Sequence, residues 1–385
     1  MKIMARCILH VGMAKTGTKS IQKTLFSTDA LGDALYLTDY SAEMLGRKGV
    51  HEPRKVKNGK NTALFNAATR SITLGYGSVE RFTEKSVRLR RAASTESFVE
   101  KRNIYRKGIE QFFLENINKD VVISTEGFMA LNDDEFQDFL QTIHHKEILV
   151  IAYVRDPFDL AGSRLQQMVR MGRDIPDIKN MNLVADYKKH FVKFLNDRCT
   201  LMPIHYDRKN LKNGCVVQDF CERIGVTVRP DQVVQSSPGL SRDAVTLVLH
   251  MSRWRKAQGL SHLPLNPLAN WLLGGKKIAV HPDLYRKSER RAKKGIAWME
   301  DLLGVKFVEP YEMPHSIRQF EELENISDAA REWVREECGP GDDVGRTVSE
   351  AAEVWLESHS DWRRDRSTAE PARRKVRSNA KVVQP

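Results

Sequence analysis

Residues 7–20 read CILHVGMAKTGTKS, and this stretch decides the fold class of the chain. An apolar, strand-forming run leads into a loop bracketed by Gly12 and Gly17, and apolar residues at helical spacing, Ile21 and Leu25, follow it. In such a strand–loop–helix unit, backbone N–H groups and the N-terminus of the helix can bind a phosphate. The sequence therefore predicts an α/β fold that carries a phosphate-binding loop.

The Gly12–Gly17 loop departs from the Walker A pattern of NTPases. That pattern, G-x-x-x-x-G-K-[ST], needs a lysine directly after the second glycine. Here Thr18 stands in that place and the lysine comes at position 19, while a further lysine, Lys15, lies inside the loop. The alternative, a tight strand-to-helix turn that binds nothing, is disfavoured by so many lysines, glycines and hydroxyls in a few residues.

A second segment suits an isolated phosphate. Residues 148–154 form a continuous apolar run, which is typical of a strand buried on both faces of a parallel sheet. Arg155 follows at its carboxyl end, where open α/β sheets bind ligands, and Pro157 favours a new helix that carries Ser163 two turns along. A guanidinium offers two parallel donors to a phosphate, and the hydroxyl adds one more. The alternative for Arg155 is an ion pair with Asp156 or a helix cap.

A third segment supplies a candidate general base. Residues 121–124 indicate another buried strand, and Glu126 follows its end. A carboxylate there could accept a proton during group transfer, although it could equally be a capping or loop carboxylate. His10 is the competitor because it also lies at a strand end near Gly12, but a structural histidine that orients the loop is the favoured interpretation of it.

These motifs resemble those of sulfotransferases that use 3′-phosphoadenosine 5′-phosphosulfate (PAPS). The order H-x-G-x-x-K-T-G-T resembles their 5′-phosphosulfate loop, and Y-V-R-D-P-F-D-L-A-G-S resembles their 3′-phosphate site. The resemblance implies that Lys15 contacts the transferring sulfuryl group and the bridging oxygen, and that Arg155 and Ser163 bind the 3′-phosphate. It also implies the remaining donor-binding set of Gly12, Thr16, Gly17, Thr18, Lys19 and Ser20. Lys19 is a departure, because the family most often has a hydroxyl residue there.

The resemblance extends to the base and to the reaction. Some members of the family use a glutamate base and others a histidine, so the candidate catalytic residues are Lys15, Glu126 and His10. The expected reaction moves the sulfuryl group of PAPS to a hydroxyl or amine of an acceptor, which we expect to be a glycan or glycolipid, and it requires no metal. Two alternatives stay open: a P-loop nucleotide kinase or NTPase, and a non-catalytic polyanion-binding protein with a degenerate pocket.

The expected architecture is one P-loop-like, three-layer α/β domain over residues 1–358, with a central parallel sheet flanked by helices and with helical insertions. Further elements are a strand over 201–206, a helix over 216–225, a helix capped by Ser241, a late helix over 297–304 and an acidic helical pattern over 309–355. Residues 45–108 form a basic insertion that we expect to face the acceptor. Residues 359–385 are arginine-rich and poor in apolar residues, so we expect a disordered basic tail.

Composition favours a cytoplasmic enzyme. The 385 residues carry a net charge of +12, and the five cysteines are odd in number and lack C-x-x-C spacing, which argues against disulfides and zinc. No signal peptide and no membrane-spanning stretch are expected. The basic runs, over 47–107 and 286–294, attract polyanions or are solvated surface. Nucleic acid is a poorer partner because no nucleic-acid-binding motif occurs.

Overall fold

The computed structural model describes residues 5–13, 15–27, 31, 34–37, 72, 75–77, 95–145, 147–235, 239–307 and 316–359. Most of the predicted insertion over 45–108 and all of the predicted tail except His359 lie outside these residues. The expectations that the insertion faces the acceptor and that the tail is disordered therefore stay predictions.

A five-stranded parallel sheet forms the centre of the fold, in the order β2-β3-β1-β4-β5. Its strands are β1 (Arg6–Val11), β2 (Leu35–Tyr36), β3 (Val121–Thr125), β4 (Glu147–Val154) and β5 (Thr200–His205). The central strand β1 pairs Val11 with Thr125 of β3 and His10 with Ile151 of β4. Because the strands are parallel, the segments that follow β1, β3 and β4 meet at one edge of the sheet.

Helices surround this sheet and build a second, mainly helical part of the chain. The described α-helices are α1 (Thr18–Ser27), α2 (Thr95–Glu115), α3 (Gly127–Ala130), α4 (Asp133–Gln141), α5 (Pro157–Arg170), α6 (Ile175–Lys179), α7 (Tyr187–Phe191), α8 (Val216–Arg223), α9 (Arg242–Ala257), α10 (Leu265–Leu268), α11 (Pro282–Leu303), α12 (Asp328–Trp333) and α13 (Val344–Ser358). A short parallel pair, β6 (Ala279–Val280) with β7 (Ser316–Ile317), lies among the later helices. A π-helical turn, Val334–Cys338, continues α12.

Side chains that alternate along the buried strands pack in two hydrophobic cores, one on each face of the sheet. On one face, Leu9 and Val150 pack in a cluster with residues of α2 and α4. On the other face, Ile8 and Leu149 pack in a cluster with residues of α1 and α8. The chain is therefore an α/β fold with a parallel sheet flanked by helices on both faces, and this part of the prediction is confirmed.

Local capping signals explain where several helices begin. The Asp156 carboxylate accepts from the backbone N–H of Phe158 at 2.9 Å, and Ser241 Oγ accepts from the N–H of Ala244 at 3.0 Å. The late helix expected over 297–304 is only the last third of α11. It begins earlier because Pro282 suits the first turn and the side chain of His281 caps it. Among the described residues, no helix combines the length and the apolar character needed to cross a bilayer.

Candidate functional site

The Gly12–Gly17 loop starts at a point of very close packing. The backbone N–H of Gly12 donates to the carbonyl of Thr125 at 3.2 Å, which ties the loop to the end of β3. A Cβ atom on Gly12 would lie 2.5 Å from Cγ2 of Thr18 and 3.0 Å from Cγ of Glu126. Only glycine therefore lets the first turn of α1 and Glu126 approach the same stretch of backbone.

Two left-handed residues shape the rest of the loop. Lys15 has φ of +67° and Gly17 has φ of +83°, while Thr16 Oγ1 donates to the carbonyl of Met13 at 2.8 Å. The N–H of Ser20 then donates to the carbonyl of Gly17 at 2.8 Å as α1 begins. A lysine in the left-handed region is strained by roughly 1–2 kcal/mol, so its position is conformationally costly.

Relief of this strain should make the protein more stable even though it removes a residue of the candidate site. Lys15→Gly should raise the free energy of unfolding by roughly 1 kcal/mol, because glycine adopts positive φ without a Cβ clash. Lys15→Ala, which keeps the clash, is the matched control, and thermal unfolding of both variants measures the difference. A Lys15→Gly protein that melts below Lys15→Ala would contradict the strained geometry of the loop.

Arg155 joins this loop to helix α5. Its Nη1 atom donates to Ser163 Oγ at 3.1 Å and to the backbone carbonyl of Lys15 at 3.3 Å. Its ion pair is with Asp159, at 3.5 Å, whereas Asp156 caps the helix. The guanidinium is thus a structural link between the two segments that the sequence singled out.

Two polar atoms at this junction are buried without a hydrogen-bond partner among the described residues: Oγ1 of Thr18 and Nε of Arg155. Buried polar atoms in proteins are nearly always paired, and unpaired ones cost free energy. Both atoms can donate a hydrogen bond, so an anionic ligand would satisfy them.

Glu126 follows β3 and occupies the N-cap position of α3, but its side chain makes no capping hydrogen bond. The side chain is exposed to a cleft, and the walls of that cleft still desolvate the carboxylate. This desolvation raises its pKa above the ordinary value, against the opposing effect of Lys19 and Lys15. Glu126 is therefore a more basic carboxylate than one on an open surface.

The pKa of Lys15 is shifted in the opposite direction, downward. Burial lowers the pKa of its ammonium to about 8, and repulsion from Arg170, Lys19 and Arg155 adds to this. Glu126 partly offsets the shift. The loop thus holds a cation that is incompletely compensated by the protein, and an anion bound beside it would favour its charged form.

His10 lies outside this arrangement. Its ring is completely buried against those of Phe220 and Tyr153, and Nδ1 is 2.7 Å from Ser124 Oγ. Burial lowers its pKa to about 3, so the imidazole is neutral at ordinary pH. His10 is not among the residues that line the cleft.

The cleft itself has a volume of about 600 Å³ and contains most of the predicted site residues. Those in its lining are Lys15, Gly17, Thr18, Lys19, Ser20, Glu126, Arg155 and Ser163. Gly12 and Thr16 are not in the lining. Gly12 allows the close packing at the start of the loop, and Thr16 holds the loop by its hydrogen bond to Met13. The lining also contains Arg208 and Lys277, so five cations face a single carboxylate.

Residues from later in the chain complete the cleft, and the sequence motifs did not identify them. Arg208 follows the end of β5, the same signal that identified Arg155. Lys277 lies at the cleft because the backbone just before β6 packs closely on Gly162 of α5. A Cβ atom on Gly162 would lie 2.6 Å from the carbonyl oxygen of Ile278. Gln166, on the same face of α5 as Ser163, also lines the cleft.

Comparisons with protein-family models, with curated proteins and with solved structures found no match. Within the described part of the chain, no three His, Cys, Asp or Glu side chains cluster in a way that could hold a metal ion. The function is therefore inferred from the geometry and charge of the cleft.

Proposed function

We propose that this protein is a sulfotransferase that moves the sulfuryl group of PAPS to a hydroxyl or amine of an acceptor. One observation carries the proposal: Arg155 Nη1 contacts both the loop, at the carbonyl of Lys15, and Ser163. The groups proposed to bind the 5′-phosphosulfate and those proposed to bind the 3′-phosphate therefore line one cleft, as a donor with anionic groups at both ends requires.

The charge and size of the cleft support this donor. PAPS is a strongly anionic nucleotide, and the lining has five cations, Lys15, Lys19, Arg155, Arg208 and Lys277, against one carboxylate. The cleft volume of about 600 Å³ lies within the usual range for small-molecule sites. The unpaired donors Thr18 Oγ1 and Arg155 Nε would gain acceptors from phosphate oxygens.

The proposed chemistry divides between Lys15 and Glu126. The acceptor oxygen attacks sulfur while the bond from sulfur to the bridging oxygen of the 5′-phosphate breaks, and the acceptor proton passes to the Glu126 carboxylate. The ammonium of Lys15 neutralises the negative charge that grows on the bridging oxygen. As in phosphoryl transfer, catalysis then consists mainly of positioning and electrostatic stabilisation. A glycan or glycolipid remains the proposed acceptor class.

Nucleotide binding tests the proposal against its alternatives. Adenosine 3′,5′-bisphosphate, the product nucleotide, should raise the melting temperature of the protein, and Mg-ATP should raise it much less. Stabilisation by Mg-ATP alone would favour a nucleotide kinase or NTPase. Binding of heparin without binding of the bisphosphate would favour a polyanion-binding protein. Transfer from labelled PAPS to a panel of acceptors then identifies the second substrate.

The two proposed 3′-phosphate ligands should have separable effects. Arg155→Ala should weaken binding of adenosine 3′,5′-bisphosphate by roughly 2–3 kcal/mol, because it removes charge-assisted donors, and Ser163→Ala should cost about 1 kcal/mol. Adenosine 5′-phosphosulfate, which lacks the 3′-phosphate, should respond little to Ser163→Ala and should lose clearly less than the bisphosphate on Arg155→Ala, which also removes the contact with the carbonyl of Lys15. Isothermal titration calorimetry with both nucleotides measures the difference.

Arg173→Ala is the matched control, because Arg173 is exposed beyond the end of α5 and does not line the cleft. It should leave the affinity for both nucleotides unchanged. Equal losses for the two nucleotides in the Arg155→Ala protein would remove Arg155 from the 3′-phosphate site.

A further inference from the structure

Helix α11 presents an unusually basic surface outside the cleft. Six of the nine residues from position 286 to position 294 are Lys or Arg, and all six side chains are exposed. They are Arg286, Lys287, Arg290, Arg291, Lys293 and Lys294, and we call them the basic face of α11. Only one acid, the half-buried Glu289, interrupts the run.

Helical geometry gathers these cations on one side. At about 100° per residue, the six positions fall within an arc of about 160° over roughly 12 Å of helix. The buried residues of α11 lie on the opposite side, at Tyr285, Ser288, Ala292, Gly295 and Met299. The apolar side of α11 thus packs in the core, and among the described residues the six cations take no part in the hydrophobic clusters.

Within the described part of the chain, most of this charge has no acidic partner. Arg286 pairs with Asp283, and Arg291 donates to the side chain of Asn182 at 3.4 Å. For the other four cations, no acidic side chain lies within ion-pair distance among the described residues. Four like charges held this close repel one another, so an external anionic partner would relieve a real cost.

The chemistry of the face points to a layer of anionic groups. The carboxylates of Asp283 and Asp301 bound the patch at its two ends. Trp298 falls within the same arc but is half-buried and packs against the core, and the amide of Asn182 already accepts a hydrogen bond from Arg291. Recognition of bases or sugars uses freely exposed aromatic and amide side chains, so positive charge is what this face mainly offers a partner. A layer of anionic lipid head groups needs only an area of positive charge.

We propose that the basic face of α11 docks the protein on a membrane surface rich in anionic phospholipids. The contact is peripheral and electrostatic, because the apolar side of the helix is buried within the protein. It does not depend on the proposed transfer reaction, since docking needs neither donor nor acceptor.

Vesicle sedimentation with the full chain tests this inference. The protein should co-sediment with vesicles of mixed phosphatidylglycerol and phosphatidylcholine, fail to do so with phosphatidylcholine alone, and be released by salt. Neutralising Lys287, Arg290, Lys293 and Lys294 together to glutamine should weaken binding at least about 100-fold, since each cation near such a surface contributes about fivefold.

The matched control neutralises four exposed cations elsewhere, at Lys119, Lys256, Arg331 and Arg335, again to glutamine. It changes the net charge equally and should retain most of the vesicle binding. Equal losses in both variants, or a wild-type protein that stays in solution with anionic vesicles, would overturn the inference. So would α11-dependent binding to heparin without binding to vesicles. Thermal melting checks that both variants remain folded.

Discussion

Lys15→Ala is expected to lower kcat by at least about 10²–10³-fold, the usual effect of removing one group that stabilises developing charge. The ammonium of Lys15 is held at the cleft by a strained backbone and is desolvated enough to lower its pKa to about 8. Both features are costly for folding, so the residue is better explained by an interaction with a ligand than by stability. The loss should appear in kcat under saturating PAPS, because the charge it meets grows in the transition state.

Lys19→Ala provides the comparison for Lys15. Lys19 also lines the cleft, but its side chain is exposed. Its removal should weaken nucleotide binding modestly and leave kcat near that of the wild type. Near-normal turnover of Lys15→Ala, or equal losses in the two variants, would show that the catalytic role of Lys15 is wrong.

The parts of the fold that rest on local patterns were predictable. The apolar run over 148–154 matches β4, and Pro157 marks the first turn of α5. The spacing between Arg155 and Ser163, just over two helical turns, predicted that they face the same side. The structure brings Nη1 of Arg155 to 3.1 Å from Ser163 Oγ.

Other parts of the site depend on tertiary packing that no local pattern encodes. Lys277 is far from Arg155 in sequence and reaches the cleft through the close approach of Gly162 to Ile278. Lysine seldom adopts a positive φ, so the sequence did not predict this backbone conformation at Lys15. A structural His10 was the favoured interpretation, but its place at a strand end did not predict that Phe220 and Tyr153 bury the ring completely.

Glu126→Gln is expected to preserve binding of PAPS while lowering turnover by roughly 10²–10⁴-fold, the usual contribution of a positioned general base. Glutamine keeps the shape and one oxygen of the side chain but cannot take the acceptor proton. Because Glu126 is exposed to the cleft and makes no capping hydrogen bond, the substitution should change the stability of the fold very little. Single-turnover measurements with bound PAPS separate the lost chemistry from any loss of binding.

The pH–rate profile provides a second readout. A base must be deprotonated, so activity falls as the pH drops through its pKa, and desolvation places that limb above the ordinary glutamate value. Glu126→Gln should abolish the limb. A histidine with an ordinary pKa would give a limb near neutrality, but burial lowers the pKa of His10 to about 3, so pH alone does not separate the two candidates.

His10→Asn therefore becomes the deciding comparison. His10 packs between aromatic rings and beside Ser124, so its replacement should destabilise the fold, and turnover must be expressed per folded molecule. Normalised in this way, His10→Asn should keep the acidic limb and most of its kcat, whereas Glu126→Gln should lose both. A folded, nucleotide-binding His10→Asn protein without activity, beside an active Glu126→Gln protein, would transfer the role of base to His10. The exposed position of Glu126 in the cleft and the complete burial of His10 favour the opposite result.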